Sequence, residues 1–309
     1  MANSSTLGER LRRSAYTTRY AWWTQIPGLS GVVARHHAPG TRPVLLLSLP
    51  RSGSSWVGKV LGAAENAAYL REPVTQGLKE EMSGGIVRNI LGDTLGEHYR
   101  SAALRALRGI PKFSRNIATS PEQWGLLGRS SRIVVIKEVN PLALPVYIEA
   151  ARPYVILLLR HPAAVALSHQ KLGWLGNPDT VAGSPSDGDV WLRNGWRQAE
   201  VIASALRTLA TYEGHCVIRY EDMCLAPEKE FERVARETGL QFGPDLEGEI
   251  SRTTSGTVDN GAYSVQRDSR RMAWRWREEI DPGALRNLRE GYRRVPTGYY
   301  DGDDEWLSL

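Results

Sequence analysis

The chain has 309 residues, 41% hydrophobic and 24% charged, enough to bury most of its surface around a large core. That balance, with only two cysteines (Cys216 and Cys224) at no metal-binding spacing, excludes disordered, collagen-like and disulfide-built classes. The net charge of +5, carried mainly by arginine, suits recognition of phosphate or sulfate oxygens but is too small over this length to indicate a nucleic-acid partner.

Residues 1–42 read as an N-terminal arm or helix, with Arg10, Arg12 and Arg13 ahead of a Tyr20, Trp22, Trp23 cluster. It is expected to pack on the body, with a membrane surface as the alternative contact. No apolar run approaches the ~20 residues of a spanning helix, and 1–40 holds no signal-peptide core. With two unpaired cysteines, the expectation is a cytoplasmic protein in a reducing interior.

Short apolar runs then mark buried strands: Pro43–Leu49, Arg132–Ile136, Tyr154–Leu159 and Cys216–Tyr220. Helices are expected from about Ser55 to Ala64, from Pro162 to about Leu172, over about Val190–Tyr212 and from Pro227 to Thr238, where Gly239 ends the last. Strands alternating with helices predict an α/β fold, a P-loop-like parallel sheet flanked by helices on both faces, in one domain over 1–309. Residues 173–189 and 253–269 are polar and rich in turn formers, and read as lid loops over a site.

The chemistry concentrates in Pro50-Arg51-Ser52-Gly53-Ser54-Ser55-Trp56, which joins a buried strand to a helix. Unpaired N–H groups at a helix N-terminus favour an anion. Gly53 permits the sharp turn, Ser52, Ser54 and Ser55 offer hydroxyls, and Arg51 adds a cationic fork. Gly53 to Lys59 also spells G-x-x-x-x-G-K, the core of a Walker A loop. Val60 follows where a Mg²⁺-binding Ser or Thr is required, and Gly58 and Lys59 fall inside the expected helix. A Mg²⁺-dependent nucleotide or small-molecule kinase is therefore the second reading.

Arg160 ends the Tyr154 strand, and Ser168 follows almost two turns into the next helix, so both reach the sheet edge where α/β folds bind ligands. Together PRSGSSW at 50–56, LLLRHPAAVALSHQK at 157–171 and RYEDMCLAPEKEFERVARETGL at 219–240 resemble the family of sulfotransferases that use 3′-phosphoadenosine-5′-phosphosulfate (PAPS), in that family's order. The likeness is to its bacterial and carbohydrate-type branch.

The resemblance implies binding of PAPS without metal and release of PAP. Arg51 to Trp56 would hold the 5′-phosphosulfate, with Trp56 stacked on adenine. Arg160 and Ser168 would grip the 3′-phosphate, joined by Arg267. Tyr220 and Thr254 would touch the adenine. Arg51 is also expected to stabilise the leaving oxygen. Glu72, in a Glu-Pro element similar to that of the carbohydrate-type branch, is the expected base, because Val139 stands where the cytosolic branch carries His. Glu138 and His98 are the alternatives.

The expected reaction is sulfuryl transfer from PAPS to a hydroxyl of a sugar, glycolipid or small natural product. A module that binds PAP or another polyanion without catalysis is the third reading. The acceptor and the oligomeric state are not legible.

Overall fold

A computed structural model of the chain describes residues 22–24, 26, 28–36, 41–82, 85–92, 94–110, 114, 116–176, 188–254 and 271–307. Its centre is a sheet of five strands: β1 (Val44–Ser48), β2 (Ala67–Arg71), β3 (Ile133–Glu138), β4 (Tyr154–Leu159) and β5 (His215–Arg219). Their order is β2-β3-β1-β4-β5 and every pairing is parallel. All five strands therefore end on the same edge.

The apolar runs cover both faces, as a parallel sheet requires. Leu45 and Leu47 of β1, with Val155, Leu157 and Leu159 of β4, enter one core. Val44, Leu46, Ile156 and Leu158 enter the other. The first face is covered by α4 (Gly96–Leu107), α5 (Leu144–Ala151), α6 (Pro162–Lys171), α7 (Val190–Leu209), the single turn α11 (Trp276–Glu279) and α12 (Pro282–Arg293). The second is covered by α2 (Ser54–Gly62), α8 (Tyr220–Leu225), α9 (Pro227–Thr238) and α10 (Leu246–Thr254). A two-turn helix, α1 (Leu29–His36), joins Trp23 and Val33 to Ile110 in a small separate cluster. The described part of the arm thus rests on the body.

The helix after β1 lies on one face, whereas those after β3 and β4 lie on the other. The chain parts on both sides of β1's end, which opens a crevice there. Behind it, α7 and α12 pack closely enough that a Cβ on Gly195 would sit 2.0 Å from the Leu288 carbonyl oxygen.

The strand at Ala67–Arg71 was absent from the sequence expectation. Its two alanines lack the β-branched signature of a strand, but pairing of Ala67 to Arg71 with Ile133 to Lys137 holds it in the sheet. The fourth expected strand stops at Arg219, and Tyr220 opens the short helix α8. The long helix stops at Leu209, not Tyr212.

Candidate active site

Each strand delivers a polar side chain to the common edge. Arg51 follows β1, Glu72 follows β2, Lys137 is the penultimate residue of β3, Arg160 follows β4 and Tyr220 follows β5. These positions are 169 residues apart at the extremes, so the parallel sheet is what gathers them.

The β1 loop turns sharply through Arg51 (φ 74°) and Gly53 (φ 88°). Left-handed backbone is ordinary for Gly53 but costly for Arg51. A Cβ on Gly53 would lie 2.3 Å from carbons of the Tyr220 ring, so glycine is needed for space as well as for φ. Helix α2 begins at Ser54, where Trp56 and Val57 N–H already donate to the Gly53 carbonyl. The N–H groups just before them have no preceding turn to bond and remain available to an anion. Ser52 and Ser54 are buried, and Ser54 Oγ lies 2.8 Å from Ser48 Oγ, which stiffens the cradle. Ser55 is exposed.

Across the crevice, Arg51 Nε donates to Ser168 Oγ at 2.8 Å. Arg160 Nη1 donates to the Arg51 carbonyl at 3.1 Å, and its guanidinium lies over the Tyr220 ring at 4.5 Å. Arg160 Nε is buried with no hydrogen-bond acceptor among the described residues. A buried unpaired donor is costly unless a ligand satisfies it. Trp56 meets Tyr220 and Phe231 edge-on at 6.0 and 5.7 Å. Thus Arg51, Ser168, Arg160, Tyr220 and Trp56 form one cluster. Thr254 ends α10, and nothing is described of its side chain; Arg267 lies outside the described residues, as does most of the expected lid 253–269 and the 177–187 part of the other.

Glu72 caps α3 (Pro73–Gly77) in left-handed backbone, φ 50°. Its carboxylate receives Lys137 Nζ on one oxygen, and Gln76 Nε2 on the other at 2.9 Å. Burial pushes the Glu72 carboxyl up, but the Lys137 charge, both hydrogen bonds and Arg71 outweigh it and hold it below the ordinary range. At neutral pH the group is a carboxylate.

The alternatives fare differently. Glu138 is fully buried and turned to the opposite face from Lys137. It accepts from Val74 N at 2.7 Å and Thr75 Oγ1 at 2.6 Å, and so anchors the start of α3. Burial lifts its carboxyl to about 7 against those hydrogen bonds. His98 is exposed on α4 and paired with Glu81 at 3.1 Å.

Lys59 lies exposed five residues into α2, outside the anion loop, so the Walker A reading loses its lysine. Among the described residues, no three His, Cys, Asp or Glu side chains gather as a metal site would need, and no helix is long and apolar enough to cross a membrane.

Three residues at the candidate site escaped sequence reasoning: Lys137, the Glu72 partner, and two histidines beside the Arg51–Arg160 cluster. Burial pulls His169 down to about 4, with Arg197 and Arg51 assisting and the Pro50 carbonyl opposing. Burial and the charges of Arg277, Arg219 and Arg160 hold His161 well below its usual range. Both are neutral. The available signal was adjacency: His161 follows Arg160, and His169 follows Ser168.

No family model matches the chain. Its sequence is similar to mouse carbohydrate sulfotransferase 4, at 27% identity over 296 residues, covering 75% of each chain. Its fold is similar to the sulfotransferase domain from the curacin biosynthetic pathway, with a TM-score of 0.50 and 16% identity over 84% of this chain and 99% of that one. A sulfotransferase domain of the Synechococcus PCC 7002 olefin synthase superposes with a TM-score of 0.48 and 18% identity, over 84% and 96% of the two chains. The sequence match is to a sulfotransferase, as the three motifs are, and the fold match agrees with the expected α/β architecture.

Proposed function

We propose that this chain is a PAPS-dependent sulfotransferase, which moves the sulfuryl group of PAPS to an acceptor hydroxyl and releases PAP. The observation that carries this reading is the contact cluster of Arg51, Ser168, Arg160 and Tyr220. It brings residues from three strand ends to a helix N-terminus that is open to an anion. Such a site fits a nucleotide with phosphate at both ends: N–H groups and Arg51 at the 5′ side, Ser168 and the unpaired Arg160 Nε at the 3′ side.

In the transfer, the acceptor oxygen forms a bond to sulfur while the bond from sulfur to the 5′-phosphate oxygen breaks. Charge grows on that oxygen. Arg51 and the α2 N–H groups neutralise it, so catalysis is mainly positioning and electrostatics. The acceptor proton passes to Glu72, whose ionised state Lys137 maintains. For Arg51 to meet the 5′-phosphosulfate, its Nε must release Ser168 Oγ or share it.

The acceptor class that fits the carbohydrate-type likeness is a sugar, glycolipid or small natural-product hydroxyl. An acceptor screen with labelled PAPS in EDTA tests the reading by mass spectrometry of the products. Transfer should need the 3′-phosphate and no divalent metal. Stabilisation by PAP with no transfer to any acceptor would reduce the chain to a binding module, and a requirement for Mg²⁺ and ATP would restore the kinase reading.

A further inference from the structure

Arg160 and Tyr220 leave adjacent, in-register strands, since Leu159 pairs with Arg219. The residue after each turns into the protein. The His161 backbone N–H donates to Glu221 Oε1 at 2.9 Å, and the Tyr300 hydroxyl donates to Glu221 Oε2 at 2.6 Å. His161, Glu221 and Tyr300 are all at most 1% exposed. One buried carboxylate therefore ties the two donor-gripping strand ends together, and a residue from near the end of the chain holds that carboxylate.

The surroundings fix each partner. His161 Nδ1 accepts from Ala163 N at 3.2 Å and caps α6, the helix that carries Ser168. Its ring stacks on Trp276 at 4.1 Å and 8°. Trp306 Nε1 donates to the Tyr300 carbonyl at 2.6 Å, and Arg219 lies over the Tyr300 ring at 4.5 Å. Tyr300 itself has φ 58°, a strained value for a bulky residue that persists only where surrounding contacts over-determine it.

We infer that Glu221 and Tyr300 are positioning residues of the donor site: the carboxylate sets the placement of Arg160 against Tyr220, and the Tyr300 hydroxyl sets the carboxylate. The C-terminal turn is then part of the machinery that grips the 3′ end of the nucleotide, although neither residue touches it. This inference rests on the sulfotransferase reading. It is specific because Tyr300→Phe keeps the ring and its packing and removes only the hydroxyl, from Glu221 Oε2 and from Arg219 beside it.

The test measures PAP affinity by calorimetry and PAPS and acceptor kinetics for the wild type, Tyr300→Phe and Glu221→Gln. Tyr300→Phe should weaken PAP and raise KM for PAPS together, by about tenfold, the scale of one hydrogen bond to a buried acceptor. The KM for acceptor should stay unchanged. Merely structural damage lowers the active fraction, and so apparent kcat, without moving either constant. The double variant Tyr300→Phe with Glu221→Gln should be no worse than Glu221→Gln alone, because both act through one contact. Unchanged PAP affinity and KM in Tyr300→Phe overturn the inference even if Glu221→Gln fails to fold. A wild-type protein that does not bind PAP overturns the sulfotransferase reading and the inference with it; a wild type that binds PAP beside an unaffected Tyr300→Phe overturns the inference alone.

Discussion

Arg51 Nε and Ser168 Oγ, 2.8 Å apart, join the loop after β1 to helix α6 across the crevice. The same contact makes the roles of the two residues separable. Arg51→Ala should lower turnover by about 100- to 1,000-fold, the usual loss when a donor to a developing oxyanion is removed. Single-turnover transfer with labelled PAPS reads it. Ser168→Ala should instead weaken PAP by about tenfold and leave affinity for a nucleotide lacking the 3′-phosphate unchanged. Equal weakening of both nucleotides would place Ser168 away from the 3′ end.

Lys137 and Glu72 predict a pH effect. With the ammonium present, the Glu72 carboxyl lies below its ordinary range. Lys137→Met removes the leading opposing charge and leaves burial to push the carboxyl up. The acid limb of kcat/KM should then move to higher pH, by about 1–3 units for loss of a close opposite charge. Glu72→Gln should cost about 100- to 10,000-fold in turnover, the range for a positioned base, with PAP binding retained. A pH profile of Lys137→Met that overlays the wild type would remove the pair from proton transfer.

The contrast between Lys137 and Arg51 shows what sequence could and could not reveal. Strands β1 and β4 are continuous apolar runs, and the turn between β1 and α2 is written in Gly53 and its flanking serines. The turn between β1 and α2, the place of Arg160 at the sheet edge and the parallel sheet were therefore legible. Strand β2 was not, because Ala67 and Ala68 carry no strand preference and gain their place only by pairing with β3. A lysine at a strand end ordinarily reads as solvent-facing; Lys137 is buried because a carboxylate 65 positions earlier meets it there. The Glu221–Tyr300 contact spans 79 positions, and no local pattern announces it.

Glu138 predicts a stability signature distinct from that of Glu72. In the fold it keeps its proton up to about 7, whereas its ordinary value is 4.5. Between those values the folded state binds more protons than the unfolded one, so stability falls as pH rises through the window. Glu72 has the opposite sign: its lowered carboxyl contributes stability that is lost only as pH falls below 4.5 toward its folded value. Glu138→Gln keeps the acceptor for Val74 N and Thr75 N and removes the titration. The wild-type Tm should drop between pH 5 and pH 7 by about 2–4 °C more than that of Glu138→Gln. Parallel Tm curves would show that Glu138 is ionised throughout.

Lys59 separates the two readings of the loop most directly. In a Walker A loop the lysine of G-x-x-x-x-G-K reaches the β- and γ-phosphates, and its loss abolishes phosphoryl transfer. Here α2 begins at Ser54, which puts Lys59 on the exposed side of the second turn with Val60 buried behind it. Lys59→Ala should therefore leave sulfuryl transfer and PAP affinity within about twofold of the wild type, the range for a surface substitution. The assay should give the same rates in EDTA, since Val60 offers no hydroxyl for Mg²⁺. A large loss in Lys59→Ala, or a rate that collapses in EDTA, would mean that the loop rearranges on binding into the kinase-like cradle that its spelling suggests. Arg51 would then lose its proposed place at the leaving oxygen.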